Sequence, residues 1–352
     1  MPLGLRQRLF REEGYVLPEV DAWLRRRTSA AKDWPVRRLL AAKGTQRISV
    51  VLPARDERLT VGTIVSEIRR ELVERVPLVD EIVVIDSRST DDTAAVAAAA
   101  GAEVVAQDAV LPDLPPMSGK GEALWKSLAA TSGDLLVFVD ADLRDFTASY
   151  VTGLLGPLLT DPTVGYVKGC YDRPYVLANG STGSGDGSGD GSGVVPGGGG
   201  RVTELVARPL INLHWPLLAG VMQPLGGEYA GRRSLLEQVP FVTGYGVELG
   251  LLVDVLELAG LDAIAQVDLG VRVHRHQPTD ALGAMSGQIM FTAWSRMERQ
   301  GSLVSLRAPS TTLAQFGRDA SGFGVSLRDM GVSERQPMID VPDYALRRSP
   351  LP

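Results

Sequence analysis

The chain has 352 residues, 44% apolar and 22% charged, with a net charge of −6, ordinary values for a folded chain of one large α/β domain or two small ones. The acidic balance and the lack of a basic stripe interleaved with aromatics exclude a nucleic-acid binder, and the lone Cys170 excludes a disulfide framework and a cysteine-rich zinc site. No apolar run approaches membrane-spanning length and the N-terminus lacks a signal-peptide pattern, so a cytoplasmic protein with no membrane partner is expected.

Residues 1–44 are charged and helical in pattern. Val20, Trp23 and Leu24 fall at helix spacing, as do Leu39 and Leu40. They predict an extension without chemistry of its own, packed on the main body or on a partner subunit. Residues 48–53 read as a strand ended by Pro53. The loop Ala54-Arg55-Asp56-Glu57 and an amphipathic helix over 59–76 follow, with Ile64, Val65, Ile68 and Leu72 on one face. Residues 81–86 are a second strand, ending in Asp86. The turn Ser87-Arg88-Ser89-Thr90-Asp91-Asp92-Thr93 is rich in N-cap residues and leads into an alanine-rich helix closed by Gly101. A third strand follows at 103–106. This β-α-β-α-β order implies a parallel sheet with right-handed crossovers.

A loop rich in Pro and Gly ends in Ser118-Gly119-Lys120-Gly121-Glu122 and opens a helix over 121–130 that buries Leu124, Trp125 and Leu128. The spacing is wrong for a Walker A loop, yet Lys120 can reach an anion. A solvated lysine is the poorer reading, because a cation at a helix start opposes the dipole. The apolar run Leu135-Leu136-Val137-Phe138-Val139 then meets Asp140-Ala141-Asp142. It reads as a strand buried on both faces, and ligands bind at the carboxyl edge of such a sheet. Two carboxylates there suit a divalent metal carrying phosphate oxygens. A strand end followed by a helix-capping aspartate accounts for them equally. A helix over 147–159 and a strand over 165–171 follow, with Cys170 a packed core thiol.

Residues 178–193 are Gly, Ser, Thr, Asp and Asn almost throughout and read as a disordered surface loop. Glycines 197–200 then lead into Arg201-Val202-Thr203-Glu204 and a helix over 202–213. Either they merely extend the loop, or they let backbone N–H groups approach an anion beside an arginine and a hydroxyl. The first-turn arginine, which weakens an isolated helix, favours the anion site. Residues 223–229 read as a compact turn carrying Glu228. Gly244-Tyr245-Gly246-Val247-Glu248 opens a long apolar helix reaching 258, with Glu248 in its first turn. Both glutamates serve equally as caps or hydrogen-bond acceptors. Residues 263–269 are a strand, and His274 and His276 beyond it fall on one side of an extended segment. A helix over 280–299 follows, and the tail from 301 is expected to wrap the body or a partner.

Several of these pieces coincide in a known family. The residues 52–57 after the first strand, the Ser-rich turn after the second, and Asp-Ala-Asp after the central one are similar to the nucleotide-sugar half of the GT-A glycosyltransferases. More narrowly, residues 119–125, 199–210 and 244–248 resemble the retaining family shared by glucosyl- and mannosyl-3-phosphoglycerate synthases. The resemblance covers residues 45–288. It implies an α/β chain with a GT-A-type, Rossmann-like, mostly parallel sheet flanked by helices. The expected parts are an N-terminal helical extension (1–44), a nucleotide-sugar-binding part (45–172), a flexible loop (173–198), a smaller acceptor-binding and metal-completing part (199–300) and a C-terminal tail (301–352).

The resemblance implies transfer of glucose from UDP-glucose to the 2-hydroxyl of D-3-phosphoglycerate, in a homodimer. Pro53, Ala54 and Glu57 would hold uracil and ribose, with Ser87 nearby. Lys120 would approach the diphosphate, and Asp140 and Ala141 the ribose side. Asp142 and His274 would hold Mg²⁺, or Mn²⁺ or Co²⁺, since histidine is an unusual Mg²⁺ ligand. Gly200, Arg201, Val202, Thr203 and His276 would bind phosphoglycerate, and Glu228 or Glu248 would grip the sugar. Asp142, Glu248 and Arg201 would stand nearest the chemistry. Two departures matter. The low-complexity insert is longer than the family's usual loop. Position 276 is histidine where the glucosyl enzymes are expected to carry asparagine, and His276-Gln277 is closer to the mannosyl enzymes, which keeps GDP-mannose as an alternative donor. A sugar nucleotidyltransferase is a remoter alternative; residues 54–62 lack the glycine- and arginine-rich loop it would need. A non-catalytic nucleotide-sugar sensor is another.

Overall fold

In the computed structural model, which describes residues 17–172, 175–176, 194–195, 200–272, 279–319 and 322–348, the buried apolar runs line up as one eight-stranded sheet. The N-terminal segment forms α1 (Pro18–Arg27), β1 (Thr28–Ala30) and α2 (Val36–Lys43). The part expected to bind the nucleotide sugar follows as β2 (Ile48–Ala54), α3 (Val61–Arg69), β3 (Glu81–Asp86), α4 (Thr93–Ala100), β4 (Glu103–Ala106), α5 (Lys120–Ala130), β5 (Leu135–Phe138), α6 (Ser149–Thr160) and β6 (Tyr166–Asp172). Two short strands, β7 (Tyr175–Val176) and β8 (Val194–Val195), pair antiparallel. Then come α7 (Arg208–His214), β9 (Tyr229–Arg232), α8 (Arg233–Leu236), β10 (Phe241–Val242), α9 (Val247–Ala259), β11 (Ile264–Val271) and α10 (Thr279–Arg299). The C-terminal part is β12 (Thr312–Asp319), β13 (Gly322–Asp329), β14 (Glu334–Arg335) and α11 (Pro342–Arg348).

The main sheet runs β1-β11-β6-β9-β5-β2-β3-β4. Neighbours pair parallel except around β9, which is antiparallel to both β5 and β6. Helices cover both faces, giving two cores. One packs Trp125, Phe138, Tyr166 and Tyr229 beneath α5 and α9. The other packs Val50, Leu52 and Val137 against Ile64, Ile68 and Leu154. The mostly parallel α/β sheet flanked by helices is as expected. Among the described residues no helix is long and apolar enough to cross a membrane.

Several local expectations are corrected. The N-terminal segment is not helical throughout: β1 adds a rung to the sheet edge, parallel to β11. Val20 and Trp23 are fully buried and the Trp23 indole donates to the Ile264 carbonyl at 2.7 Å, so the segment packs on the body. Pro53 does not end its strand. β2 continues to Ala54, with Pro53 opposite Ile85. Its missing N–H is tolerated because pairing with β5 has already stopped at Val51. The central strand ends at Phe138, short of the aspartates. The turn over 223–229 runs directly into β9, an insertion too short and glycine-containing to carry a strand signature of its own. The tail holds a regular hairpin, β12–β13. The low-complexity stretch 178–193, with its expected disorder, lies outside the described residues. Cys170 is buried as expected, and burial pushes its thiol pKa up.

Candidate active site

A cleft of about 1120 Å³ opens at the carboxyl edge of the sheet. The ends of β2 and β3 bring Pro53, Ala54, Glu57 and Ser87 to it, and the segment after β5 brings Asp140, Ala141 and Asp142. Lys120 comes from the first turn of α5 and Glu248 from that of α9. Gly200, Arg201, Val202 and Thr203 line the same cleft from the segment leading into α7. Elements far apart in sequence thus converge as strand ends do in open α/β sheets. Glu228 stands beneath this surface, fully buried. His274 and His276 lie outside the described residues.

Paired charges organise the floor. The Lys120 ammonium sits 2.5 Å from Asp140 Oδ1 and 3.0 Å from Glu248 Oε1. Burial alone would lower its pKa, but those two carboxylates raise it, so Lys120 is a permanent cation. That resolves the cation at a helix start: two acids outweigh the unfavourable dipole. Arg272, just past β11, is the second hub. Its guanidinium donates to Glu228 Oε1 at 2.6 Å, to the Tyr171 hydroxyl at 2.8 Å and to Asp142 Oδ1 at 3.1 Å, and stands 3.8 Å from Asp140 Oδ2. A single guanidinium therefore ties three carboxylates together. Glu228 Oε2 has no hydrogen-bond partner among the described residues. Burial raises the Glu228 pKa, opposed by Arg272.

Reasoning from sequence missed Arg272. It has the same even parity as His274 and His276, and that shared parity was the available signal. Gln107, whose side chain meets Ser87 Oγ and the Met117 carbonyl, also lines the cleft, as do Arg55, Arg88, Ser118 and Tyr245. The opposite wall comes from α10, through Leu282, Met285, Gln288 and Ile289. Gln288 accepts from the Tyr245 N–H at 3.0 Å and so fixes the turn before α9. A helical pattern in the sequence gives no reason to pick these residues.

The carboxylates nearest the opening are under-compensated. Asp142, with its side chain 53% exposed, has a pKa raised by burial and by Asp140, against the pull of Arg272 and Lys120. Glu57 is likewise raised, by burial and then by Asp142. Excess negative charge at a cleft mouth is what a divalent cation relieves, and carboxylate oxygen is a suitable donor for one. Asp142 therefore fits a metal. No group of three or more potential His, Cys, Asp or Glu ligands forms among the described residues, and the other expected ligand, His274, is not among those residues.

Comparisons with known proteins place the chain among characterised relatives. Residues 49–185 match the family model described as Glycosyl transferase family 2. The glucosyl-3-phosphoglycerate synthase of Mycolicibacterium smegmatis is 48% identical over 316 residues, covering 90% of this chain and 97% of that protein. That of Petrotoga mobilis is 40% identical over 92% of this chain and 96% of its own. Among solved structures, mannosyl-3-phosphoglycerate synthase from Rubrobacter xylanophilus superposes with a TM-score of 0.82 at 38% identity, covering 93% of this chain and 99% of that one. Glucosyl-3-phosphoglycerate synthase from Mycobacterium tuberculosis, solved with Mn²⁺, UDP-glucose and phosphoglyceric acid, gives 0.72 at 44% identity over 87% and 94%.

Proposed function

The chain belongs to the glucosyl-3-phosphoglycerate synthase family, and from that premise we propose that it moves glucose from UDP-glucose to the 2-hydroxyl of D-3-phosphoglycerate, releasing UDP. The observation that carries this reading is a single cleft lined by two chemically distinct sets of residues. Strand-end residues Pro53, Ala54 and Ser87 form one and the anion-suited Gly200-Arg201-Val202-Thr203 the other, with Lys120 and Asp142 on the same surface. Relatives named for the glucosyl reaction match at 48% identity across nearly their whole length, which favours glucose over mannose.

Asp142, with His274, would hold a divalent cation such as Mg²⁺ or Mn²⁺, whose charge would offset that developing on the leaving UDP. The other roles belong to side chains. Lys120 adds a fixed positive charge near the diphosphate, kept in place by Asp140 and Glu248. Arg201 and the Thr203 hydroxyl meet the phosphate of the acceptor. Glu57, Pro53 and Ala54 hold the nucleoside. Glu228, clamped by Arg272, sets the floor beneath the sugar.

The transfer proceeds with retention. The acceptor 2-oxygen bonds to the anomeric carbon on the face from which UDP leaves, the bond from that carbon to the phosphate oxygen breaks, and the hydroxyl proton passes to that oxygen. A double displacement needs a free carboxylate on the opposite sugar face. Glu248 is the candidate taken from the sequence for it, and its pairing with Lys120 at 3.0 Å weighs against that role.

We also propose that the enzyme is a homodimer. In the β12–β13 register, Phe316 faces Val325 and Ala314 faces Leu327, so one face of the hairpin gathers apolar residues. Phe316, Phe323 and Leu327 are 77%, 80% and 67% exposed. Such a patch on an exposed hairpin face suits a second copy of the chain.

A donor panel of UDP-glucose, GDP-glucose and GDP-mannose, each with 3-phosphoglycerate and Mg²⁺, tests the reaction. Glucosyl-3-phosphoglycerate and UDP are expected from the first. Product from GDP-mannose alone would assign the chain to mannose transfer, and pyrophosphate release from a nucleoside triphosphate would overturn the glycosyltransferase reading.

A further inference from the structure

Lys168 lies mid-strand in β6 and is fully buried, below the cleft and not on its surface. A buried ammonium is costly unless hydrogen-bonded and opposed by charge. Both needs are met from the side of the site. Its Nζ donates to the Gly226 carbonyl at 2.5 Å. It also stands 5.1 Å from the ring centre of Tyr229, its register partner on β9.

Gly226 opens the turn Gly226-Gly227-Glu228. A Cβ on Gly227 would stand 2.2 Å from Asp140 Oδ2, so the turn rests directly on that carboxylate and admits no larger residue. At the far end, the Glu228 carbonyl accepts from the Gly169 N–H at 2.8 Å, next to Lys168 on β6. The turn thus connects the sheet interior to two acids of the site.

We propose that Lys168 is a positioning residue for the sugar donor: from inside the sheet it holds the Gly226-Gly227 turn against Asp140, and its charge offsets the carboxylates above it. This inference rests on the UDP-glucose reading and adds a residue that never touches substrate. The charged groups acting on Lys168 are Glu248 from α9, Glu228 at the start of β9, Asp140 beyond β5, and Lys120 from α5. The acids favour its charge and Lys120 opposes it. The hydroxyls of Tyr229 and Tyr166 are buried in the same region without partners among the described residues. Burial outweighs the acids and lowers the Lys168 pKa to about 8. Lys168 is therefore cationic at neutral pH and loses its charge as the pH rises through that value. Three carboxylates then lose a counter-charge in a low dielectric, and an incoming diphosphate meets a more negative site.

Steady-state kinetics of the full chain with UDP-glucose and 3-phosphoglycerate, from about pH 6.5 to about 10, separate the possibilities for wild type, Lys168→Met and Lys168→Arg. Lys168→Met is expected to raise the donor KM about tenfold or more, to leave the acceptor KM within about twofold, and to lack the alkaline rise in donor KM expected of the wild type. Lys168→Arg, permanently charged, is expected to keep the donor KM within about threefold of wild type and hold it flat through that range. Equal losses toward both substrates, or an alkaline limb retained in either variant, would overturn the proposal. Should Lys168→Met fail to fold, the Lys168→Arg profile decides alone. A wild type inactive with UDP-glucose defeats the donor reading and this inference with it; an active wild type with unresponsive Lys168 variants defeats only the inference.

Discussion

Asp140 and Asp142 are separated by one residue, yet the cation nearest each differs. Asp140 is taken up by Lys120, while Asp142 shares a guanidinium and is more open to the cleft mouth. The acid with the weaker counter-charge is the one suited to an added metal. Arg201 belongs to the anion-suited set lining the same cleft. A charge-assisted contact to a phosphate contributes roughly 1.5–3 kcal/mol, so Arg201→Ala should raise the phosphoglycerate KM about 10- to 100-fold. The UDP-glucose KM should move far less; unchanged acceptor kinetics would remove Arg201 from the site. Away from the cleft, hydrogen bonds from Thr163 and Arg27 hold Asp161 at about 2, below its usual 3.8. A carboxylate depressed in the folded state adds stability above its unfolded pKa and loses it as the pH falls through the folded value. The pair is partly exposed to solvent, so the gain is at most about 1 kcal/mol. Asp161→Asn should lower Tm near pH 7 and match the wild type near pH 2. A Tm difference that ignores pH would contradict this.

At the scale of elements, α5 carries Lys120 and cannot shift without cost. Its Gly121 N–H donates to the Thr243 carbonyl at 3.0 Å. Thr243 in turn donates from its own N–H to the Ser333 carbonyl at 2.9 Å. At the next residue, Arg335 from β14 grips the fully buried Glu122 through two hydrogen bonds of 2.7 and 2.8 Å and stacks over Trp125. The C-terminal segment therefore clamps the helix that presents the cation. A Cβ at position 121 would stand 1.7 Å from the Val242 carbonyl oxygen. With Arg335 blocking retreat, Gly121→Ala should cost on the order of 2–3 kcal/mol of stability. It should also weaken UDP-glucose binding by moving Lys120. A urea midpoint and donor KM both equal to wild type would show that α5 has slack.

At the scale of the molecule, one sheet gathers the site, while the β12–β13 hairpin meets α10 through Gln315 and Arg328 and leaves its other face exposed. Full burial of a large apolar side chain contributes about 1.5–3 kcal/mol, and a symmetric interface uses each Phe twice. The double variant Phe316→Ser, Phe323→Ser should therefore weaken self-association at least about a hundredfold. Analytical ultracentrifugation reads this directly, and a dimer that survives the double variant would move the interface elsewhere.

Local periodicity carried most of the fold. Strands buried on both faces, such as the runs 82–85 and 135–138, announce themselves because every residue in those runs is apolar, and glycine or Asn/Asp/Ser punctuation marks their ends. The sequence by itself also marked Lys120, the two aspartates and Arg201 as candidates, since each is electrostatically awkward where it stands unless something opposes it. It did not reveal β9, whose four residues pair antiparallel only because β5 and β6 leave a gap for them. Nor did it reveal the wall made by α10. Which acid pairs with which cation was decided by tertiary structure alone. Arg272 reaches Asp142 across 130 residues of chain and Arg335 reaches Glu122 across 213, and contacts at such separation leave no periodic trace. Side-chain spacing governs which face of an element is buried; only the packing of whole elements determines which charges become neighbours, because that depends on the sum of all those burials at once.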